Sequence, residues 1–274
     1  CLSVVSQTKA DNMFQITPSA SAAKVIANDN CFQVCFTDPN QGTASADYIA
    51  SKGLATKVAV IYNSSDAYSS GIYDNFKAEA AAKGLDLVAS EAFTGDSKQD
   101  FSSQLSKIKA SGAELIFLPI YYQEASLILS QAKNAGITAK FFGCDGLDGL
   151  LNIENFDKSL AENVMLLTPF AANATDETTK KFVAAYNAKY DPSTLNQFAA
   201  DAYDAVYIVK AAAEKAGVTG DMSVSDICNA LKGAMTEITV DGVTGSGMTW
   251  KATGEVNKEP KAVKIENGEY QPMD

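Results

Sequence analysis

The sequence predicts an α/β fold built on a doubly wound parallel sheet. Three observations carry this. Short continuous apolar runs recur, KVAVIY at Lys57–Tyr62 and LIFLP at Leu115–Pro119, as strands buried on both faces require. Stretches with apolar residues at helical spacing separate them, such as Phe101, Leu105 and Ile108. From Val58 to Phe142 the order reads β-α-β-α-β-α-β, the alternation of a parallel sheet with helices on both faces.

The elements follow in order. Cys1–Ala10 is a short helix candidate and Met13–Thr17 a short strand. Pro18, Ser19, Ala20 and Ser21 then precede the helical run AAKVIA. Cys31–Phe36 is a strand, and Thr37-Asp38-Pro39-Asn40 a break rich in turn formers. A helix is expected from about Gln41 to Ser51 and a buried strand at Lys57–Tyr62. Asn63–Ser70 reads as a polar loop, Gly71–Ala82 as a helix, Leu85–Phe93 as a strand and Lys98–Ala110 as a helix. Leu115–Pro119, Glu124–Ala135 and Ala139–Gly143 form a strand-helix-strand unit, its helix ended by Gly136. Val164–Leu167 is one more short strand. Beyond it the texture changes, with helices at Glu177–Lys189, Phe198–Ala216 and Val224–Leu231 and strands at Val240–Trp250 and Ala262–Tyr270. The residues before Asp38, taken with those from about Ala171 to Met235, would make a lobe of many helices and almost no sheet. Helices need an apolar surface to bury against, so this lobe is expected to be small and unusual, or incomplete.

Composition narrows the function classes. The 274 residues carry a net charge of −11, which argues against nucleic acid or an anionic membrane as partner. The absence of histidine removes Ser-His and Cys-His nucleophile pairs and most histidine metal sites. No GxGxxG, P-loop, GxSxG elbow or calcium loop is present. An enzyme, a resident cofactor and a metal site are therefore not expected. Five cysteines without a CxxC signal neither a zinc ribbon nor a redox pair. Cys31 and Cys35 would lie about 13 Å apart along one strand, too far to bridge, so mostly free, buried thiols are expected.

Two places could hold a ligand. Adjacent parallel strands joined by a right-handed crossover end on the same sheet edge, where open α/β sheets bind ligands. Tyr121 and Asp145 leave two such strands. A phenol and a carboxylate placed there can grip a small cation such as an ammonium; the plain alternative is two solvated loop residues. The Ser19–Ser21 turn, just before a helix, offers hydroxyls and open amides to an anion, or is simply a capped helix.

Eight stretches, in order and over the whole length, make the chain resemble the type I periplasmic binding proteins, especially those for leucine, isoleucine and valine. They are ITPSAS at Ile16–Ser21, CFTDPNQG at Cys35–Gly42, KVAVIYNSSDAYSSG at Lys57–Gly71, DFSSQLSKIK at Asp100–Lys109, IYYQEA at Ile120–Ala125, GCDG at Gly143–Gly146, AYDAVY at Ala202–Tyr207 and GVTGSGMTW at Gly242–Trp250. No single one is specific; their order is.

The resemblance implies two doubly wound α/β/α lobes joined by a three-strand hinge. Residues 1–37 and 170–236 would form an incomplete first lobe, and 38–169 and 237–274 a second. It further implies an amino acid in the cleft, passed to a membrane ABC permease. Ser19 and Ser21, with Ala20 between them, match positions holding the ligand's carboxylate; Tyr121 and Asp145 match those holding its ammonium. Tyr68 and Phe198 match the side-chain pocket, and Asp38 falls at a crossover, as hinge or rim. Aspartate stands at 145 where the leucine-binding branch often has glutamate, so a different ligand is a stated alternative, as are a small amide or urea-like solute and a ligand-sensing domain of a receptor or regulator. An extracytoplasmic location follows, periplasmic or, in a Gram-positive bacterium, as a surface lipoprotein. Cys1 suggests such an anchor, but Leu2, Val4 and Val5 follow it in place of a polar tether. Family members carry first-lobe strands ahead of the helix that opens this chain. The expectation is thus an amino-terminally incomplete polypeptide, or one whose first segment is supplied by another chain, binding ligand weakly alone.

Overall fold

The computed structural model describes residues 1–273. The amino-terminal part holds helix α1 (Val5–Ala10) and two three-residue strands, β1 (Gln15–Thr17) and β2 (Cys31–Gln33), paired in parallel. Then come α2 (Asp38–Ser51), β3 (Lys57–Asn63), α3 (Ala67–Ala82), β4 (Asp86–Phe93), α4 (Ser102–Ser111), β5 (Leu115–Leu118), α5 (Tyr122–Asn134), β6 (Lys140–Gly143) and β7 (Met165–Thr168). Helices α6 (Glu177–Asn187), α7 (Gln197–Ala216) and α8 (Val224–Met235) precede a closing hairpin, β8 (Lys261–Glu266) and β9 (Glu269–Pro272).

The main sheet has seven strands in the order β4-β3-β5-β6-β7-β8-β9. Strands β3 to β7 run parallel, and the hairpin adds two antiparallel strands at one edge. The strand residues alternate between two cores. Val58, Val60, Leu115 and Phe117 pack on the side of α2 and α3, with Ile49, Ile72 and Phe76. Ala59, Ile61, Ile116 and Leu118 pack on the side of α4 and α5, with Leu105, Ile108 and Ile128. Both faces are covered, which is why these strands read as unbroken apolar runs. Helices α2 and α3 approach so closely at Gly42 that an added Cβ would lie 2.4 Å from the Ile72 carbonyl oxygen.

The expected α/β layering stands, with local corrections. Helix α1 starts at Val5, not Cys1, and leaves Leu2 and Val4 exposed. The run after Ser21 is a single 3-10 turn, Ala23–Ile26, with no side-chain cap. The break at Thr37–Asn40 is a helix start: Thr37 caps α2 by accepting the Asn40 N–H at 3.3 Å, and Pro39 sits in the first turn, where a missing N–H costs nothing. Likewise α3 starts at Ala67, with Asp66 accepting the Ser69 N–H at 3.0 Å. Val240–Trp250 makes only isolated bridges, Val240 with Met248 and Trp250 with Val256. Its glycines break the extended run. The expected strand at Ala262–Tyr270 is the β8–β9 hairpin, turned by Asn267 and Gly268 at positive φ.

The segment 237–274, expected with the second lobe, is divided. Met248, Trp250 and Val256 pack with Phe32, Val34, Ile208 and Met235, beside the small sheet. The Trp250 indole N–H donates to the Gln33 carbonyl at 2.8 Å. Only the hairpin from Lys261 joins the seven-stranded sheet. Cys31, Cys35, Cys144 and Cys228 are free and buried, and Cys1 is free and exposed.

Candidate ligand site

The winding direction reverses between β3 and β5, which are neighbours in the sheet with β4 beyond β3. Ligand crevices form outside the carboxyl ends of strands at such a switch point. Three side chains leave the sheet there. Tyr68 stands in the first turn of α3, after β3; Tyr121 follows β5 as the N-terminal cap residue of α5; Asp145 follows β6 in a 3-10 turn.

These three are locked together. The Tyr68 hydroxyl donates to Asp145 Oδ1 at 2.6 Å and accepts the Gly146 N–H at 2.9 Å. The Tyr68 and Tyr121 rings stack with centroids 4.8 Å apart. Gly146 is required for this approach: a Cβ there would lie 2.6 Å from the Tyr68 hydroxyl and 2.7 Å from the Ile120 carbonyl oxygen. Gln41 Oε1 accepts the Asp145 N–H at 3.3 Å, and Gln197 Nε2 donates to the Asp145 carbonyl at 2.6 Å.

Across from them stand Ser19, Ala20, Ser21 and Val25 from the amino-terminal part, and Phe198 from the first turn of α7. All of these residues, with Tyr68, Tyr121 and Asp145, line one cavity of about 290 Å³. Every candidate site residue named from the sequence therefore meets at one place. The lining contains no lysine or arginine. One detail departs from expectation. The Ala20 N–H, counted among the open amides, donates to Thr17 Oγ1 at 2.8 Å and is not free for a ligand.

Burial sets the electrostatics. Asp145 is 3% exposed. Desolvation pushes its carboxyl up to about 7, against the lowering effect of the Tyr68 hydroxyl, while Asp201 adds to the rise. Asp148, three residues on, is also raised by burial to about 7, and accepts the Gln197 N–H at 2.6 Å. The Tyr68 and Tyr121 phenols are pushed up, chiefly by burial. Both therefore remain hydrogen-bond donors throughout the neutral range.

The sequence reading missed the groups that support this site. Asp38 is 2% exposed, a buried acid rather than a rim residue. Gln41 and Gln197 carry no mark in the sequence, and the Asp145–Asp148 pair reads there as solvated loop acids, whereas both are buried. Gln197 ties the Asp145 loop to the start of α7, the helix that carries Phe198. Gln197→Ala leaves the Asp145 carbonyl without that donor. An unsatisfied buried group costs about 1–3 kcal/mol, so the melting temperature is expected to fall by about 2–4 °C per kcal/mol, measured by calorimetry.

The cleft is lined by an acid, phenols and hydroxyls from two differently built parts of an α/β protein. The model of the periplasmic binding protein family matches residues 1–269, and the chain belongs to that family. It is 33% identical over 221 residues to a Leu/Ile/Val-binding protein homolog of Brucella melitensis, and 29% identical over 223 residues to a leucine-, isoleucine-, valine-, threonine- and alanine-binding protein of Pseudomonas aeruginosa. These matches cover 79% and 80% of this chain and 58% of each relative, so the chain spans less than two thirds of their length. Among solved structures, the leucine-binding protein LivK of Thermotoga maritima matches with a TM-score of 0.86 at 25% identity, covering 100% of this chain and 75% of that one. The branched-chain amino acid binding protein LivJ of Streptococcus pneumoniae, solved with isoleucine, matches with a TM-score of 0.84 at 28% identity, covering 98% and 74%. The resemblance drawn from the sequence and its α/β fold class are thereby borne out.

Proposed function

We propose that this chain is the solute-capturing part of an extracytoplasmic binding protein, holding an amino acid zwitterion for delivery to an ABC importer. The observation that carries the reading is the single cavity with Ser19 and Ser21 on one side and Asp145, Tyr68 and Tyr121 on the other. Its volume of about 290 Å³ suits a small solute. The ionised Asp145 and the Tyr121 ring take the ammonium, the serine hydroxyls take the carboxylate, and Phe198 and Val25 form the apolar wall against the side chain. A dianionic amino acid is disfavoured, because no cationic side chain lines the cavity to pair a second carboxylate. The relatives named above bind leucine, isoleucine and valine by their names, and this supports a branched-chain ligand.

Binding works through closure. A zwitterion touching both sides favours the conformation in which both sets of contacts exist. No bond is broken, so the assay is saturable binding without turnover. No helix among the described residues is long and apolar enough to cross a membrane, and delivery requires the permease as a separate partner. Isothermal titration of the chain with leucine, isoleucine, valine and, as a control, glutamate tests this. Saturable one-to-one binding of at least one branched-chain ligand, with glutamate much weaker, is expected. Absence of binding by all three branched-chain ligands, or a preference for glutamate, overturns the reading.

A further inference from the structure

The two sides that face each other across the cavity pack in separate apolar cores. Helix α7 packs through Ala205, Ile208 and Ala212 with Phe32 and Val34 of the amino-terminal part. Leu147, Leu150 and Leu151, which follow Asp145, pack instead with Ile116 and Ile128 of the main sheet. Polar groups also fix α7 to its own side. The buried Lys258 ammonium donates to Asp201 Oδ1 at 3.1 Å and to Thr244 Oγ1 at 2.6 Å, and Asp204 accepts the Val243 and Thr244 N–H groups at 2.8 Å each.

At the start of α7 the two sides are joined by hydrogen bonds. Asp148 Oδ2 accepts the Gln197 N–H at 2.6 Å, and Gln197 Nε2 donates to the Asp145 carbonyl at 2.6 Å. Beside them Asn152 Nδ2 donates to the Leu195 carbonyl at 3.2 Å. The Gln197 N–H belongs to the first turn of α7, whose amides have no partner within the helix, and an acid is favoured at that end. Asp148 and Gln197 are both buried, and neither lines the cavity. Each is nevertheless tied to a residue that does: Gln197 directly precedes Phe198, and Asp148 closes the turn that begins at Asp145. Hydrogen bonds can be exchanged for water at small net cost, whereas opening an apolar core exposes its whole area. This seam is therefore where the two sides can part and rejoin.

We propose that Asp148 and Gln197 are positioning residues that form a clasp across the cavity: they hydrogen-bond α7 to the Asp145 turn when the two sides meet on a ligand, and so slow its release without touching it. The clasp sets Phe198 against the ligand's side chain while Asp145 holds the ammonium. Its loss lowers the population of the binding-competent arrangement, and the apparent affinity falls by the same factor.

The clasp rests on the amino acid binding proposed above, and one set of variants separates the two. Asp148→Ala removes the acceptor, Asp148→Asn keeps an acceptor oxygen and the shape, and Gln197→Ala removes the donor to the Asp145 carbonyl. Isoleucine affinity is measured by titration and its release by chasing bound radiolabelled isoleucine with unlabelled, with thermal melts to confirm folding. Asp148→Ala and Gln197→Ala should each raise Kd at least tenfold, about 1.4 kcal/mol, which is near the net worth of one hydrogen bond. Faster dissociation should account for most of that change, with association within about threefold of wild type. Asp148→Asn should bind within about threefold of wild type. Small-angle X-ray scattering at saturating isoleucine should give a larger radius of gyration for Asp148→Ala than for wild type, a change that a purely structural role would not produce. Should Asp148→Ala fail to fold, Gln197→Ala carries the same test. Folded alanine variants that release isoleucine at the wild-type rate overturn the clasp and leave the amino acid reading standing. A loss of affinity through slower association alone, with unchanged scattering, overturns it as well. A wild type that binds none of leucine, isoleucine and valine overturns the functional reading, and the clasp with it.

Discussion

Asp145→Ala is expected to weaken branched-chain amino acid binding by roughly 30- to several-thousand-fold in Kd, with the fold intact. The proposed contact pairs a buried carboxylate with an ammonium. Removing one partner of such a pair typically costs about 2–5 kcal/mol, because the other charge is left desolvated and alone. A second loss adds to it: the Tyr68 hydroxyl, now donating to Asp145 at 2.6 Å, has its acceptor taken away. No other carboxylate lines the cavity, so none can substitute from within it. Stability should fall by no more than about 1–3 kcal/mol, the cost of the orphaned Tyr68 hydroxyl, offset in part because the alanine also removes an acid whose ionised form burial opposes. Titration calorimetry beside a thermal melt separates the two effects. Unchanged affinity sinks the assignment of Asp145, and a collapsed melting temperature would show that the residue is structural instead.

Much of the layout could be read from the residues because burial on both sides of a sheet leaves a local trace. Val58, Val60, Leu115 and Phe117 face one core and Ala59, Ile61, Ile116 and Leu118 the other, so each strand shows as an unbroken apolar run. The strand ends then located Tyr121 and Asp145 without further information. Helix starts were harder. Thr37 and Asp66 are caps, and a cap has the same composition as a polar loop, so α2 and α3 were each placed to begin too late. The supporting groups left no local trace. Gln197 meets Asp148 and Asp145 from 49 and 52 residues away, and such pairing has no periodicity to detect. The resemblance put Asp38 at a crossover, as hinge or rim; the Thr37 cap makes it the first residue of a helix, and its carboxyl is buried. The division of residues 237–274 failed for a related reason. Trp250 is held by one hydrogen bond to Gln33 and by packing around Phe32, both distant in sequence.

The same buried acids predict opposite pH trends for the free and the occupied protein. Asp38, Asp145 and Asp148 are each raised from 3.8 to about 7, in every case chiefly by burial. The sign follows from proton linkage. A folded state that holds protons more tightly than the unfolded chain gains stability below the unfolded value, and loses it as pH rises through the folded value. Between about pH 4 and 7 the unliganded protein should therefore become less stable. Carboxylates with lowered pKa, such as Asp176 and Asp241, act below that window and do not cancel the trend. The net charge of −11 adds self-repulsion in the same direction. Ligand binding should run the other way. An ammonium needs Asp145 ionised, so below about pH 7 the Kd should rise roughly tenfold per pH unit, and binding at pH 6 should release close to one proton. Thermal melts at pH 5 and pH 7, with and without saturating ligand, test both trends. The free protein should melt higher at pH 5, and the increment from ligand should be larger at pH 7. Titrations at pH 6 in buffers of different ionisation enthalpy count the proton. Equal heats in all buffers would mean that the carboxyl is already ionised before the ligand arrives, and burial would then not control this site.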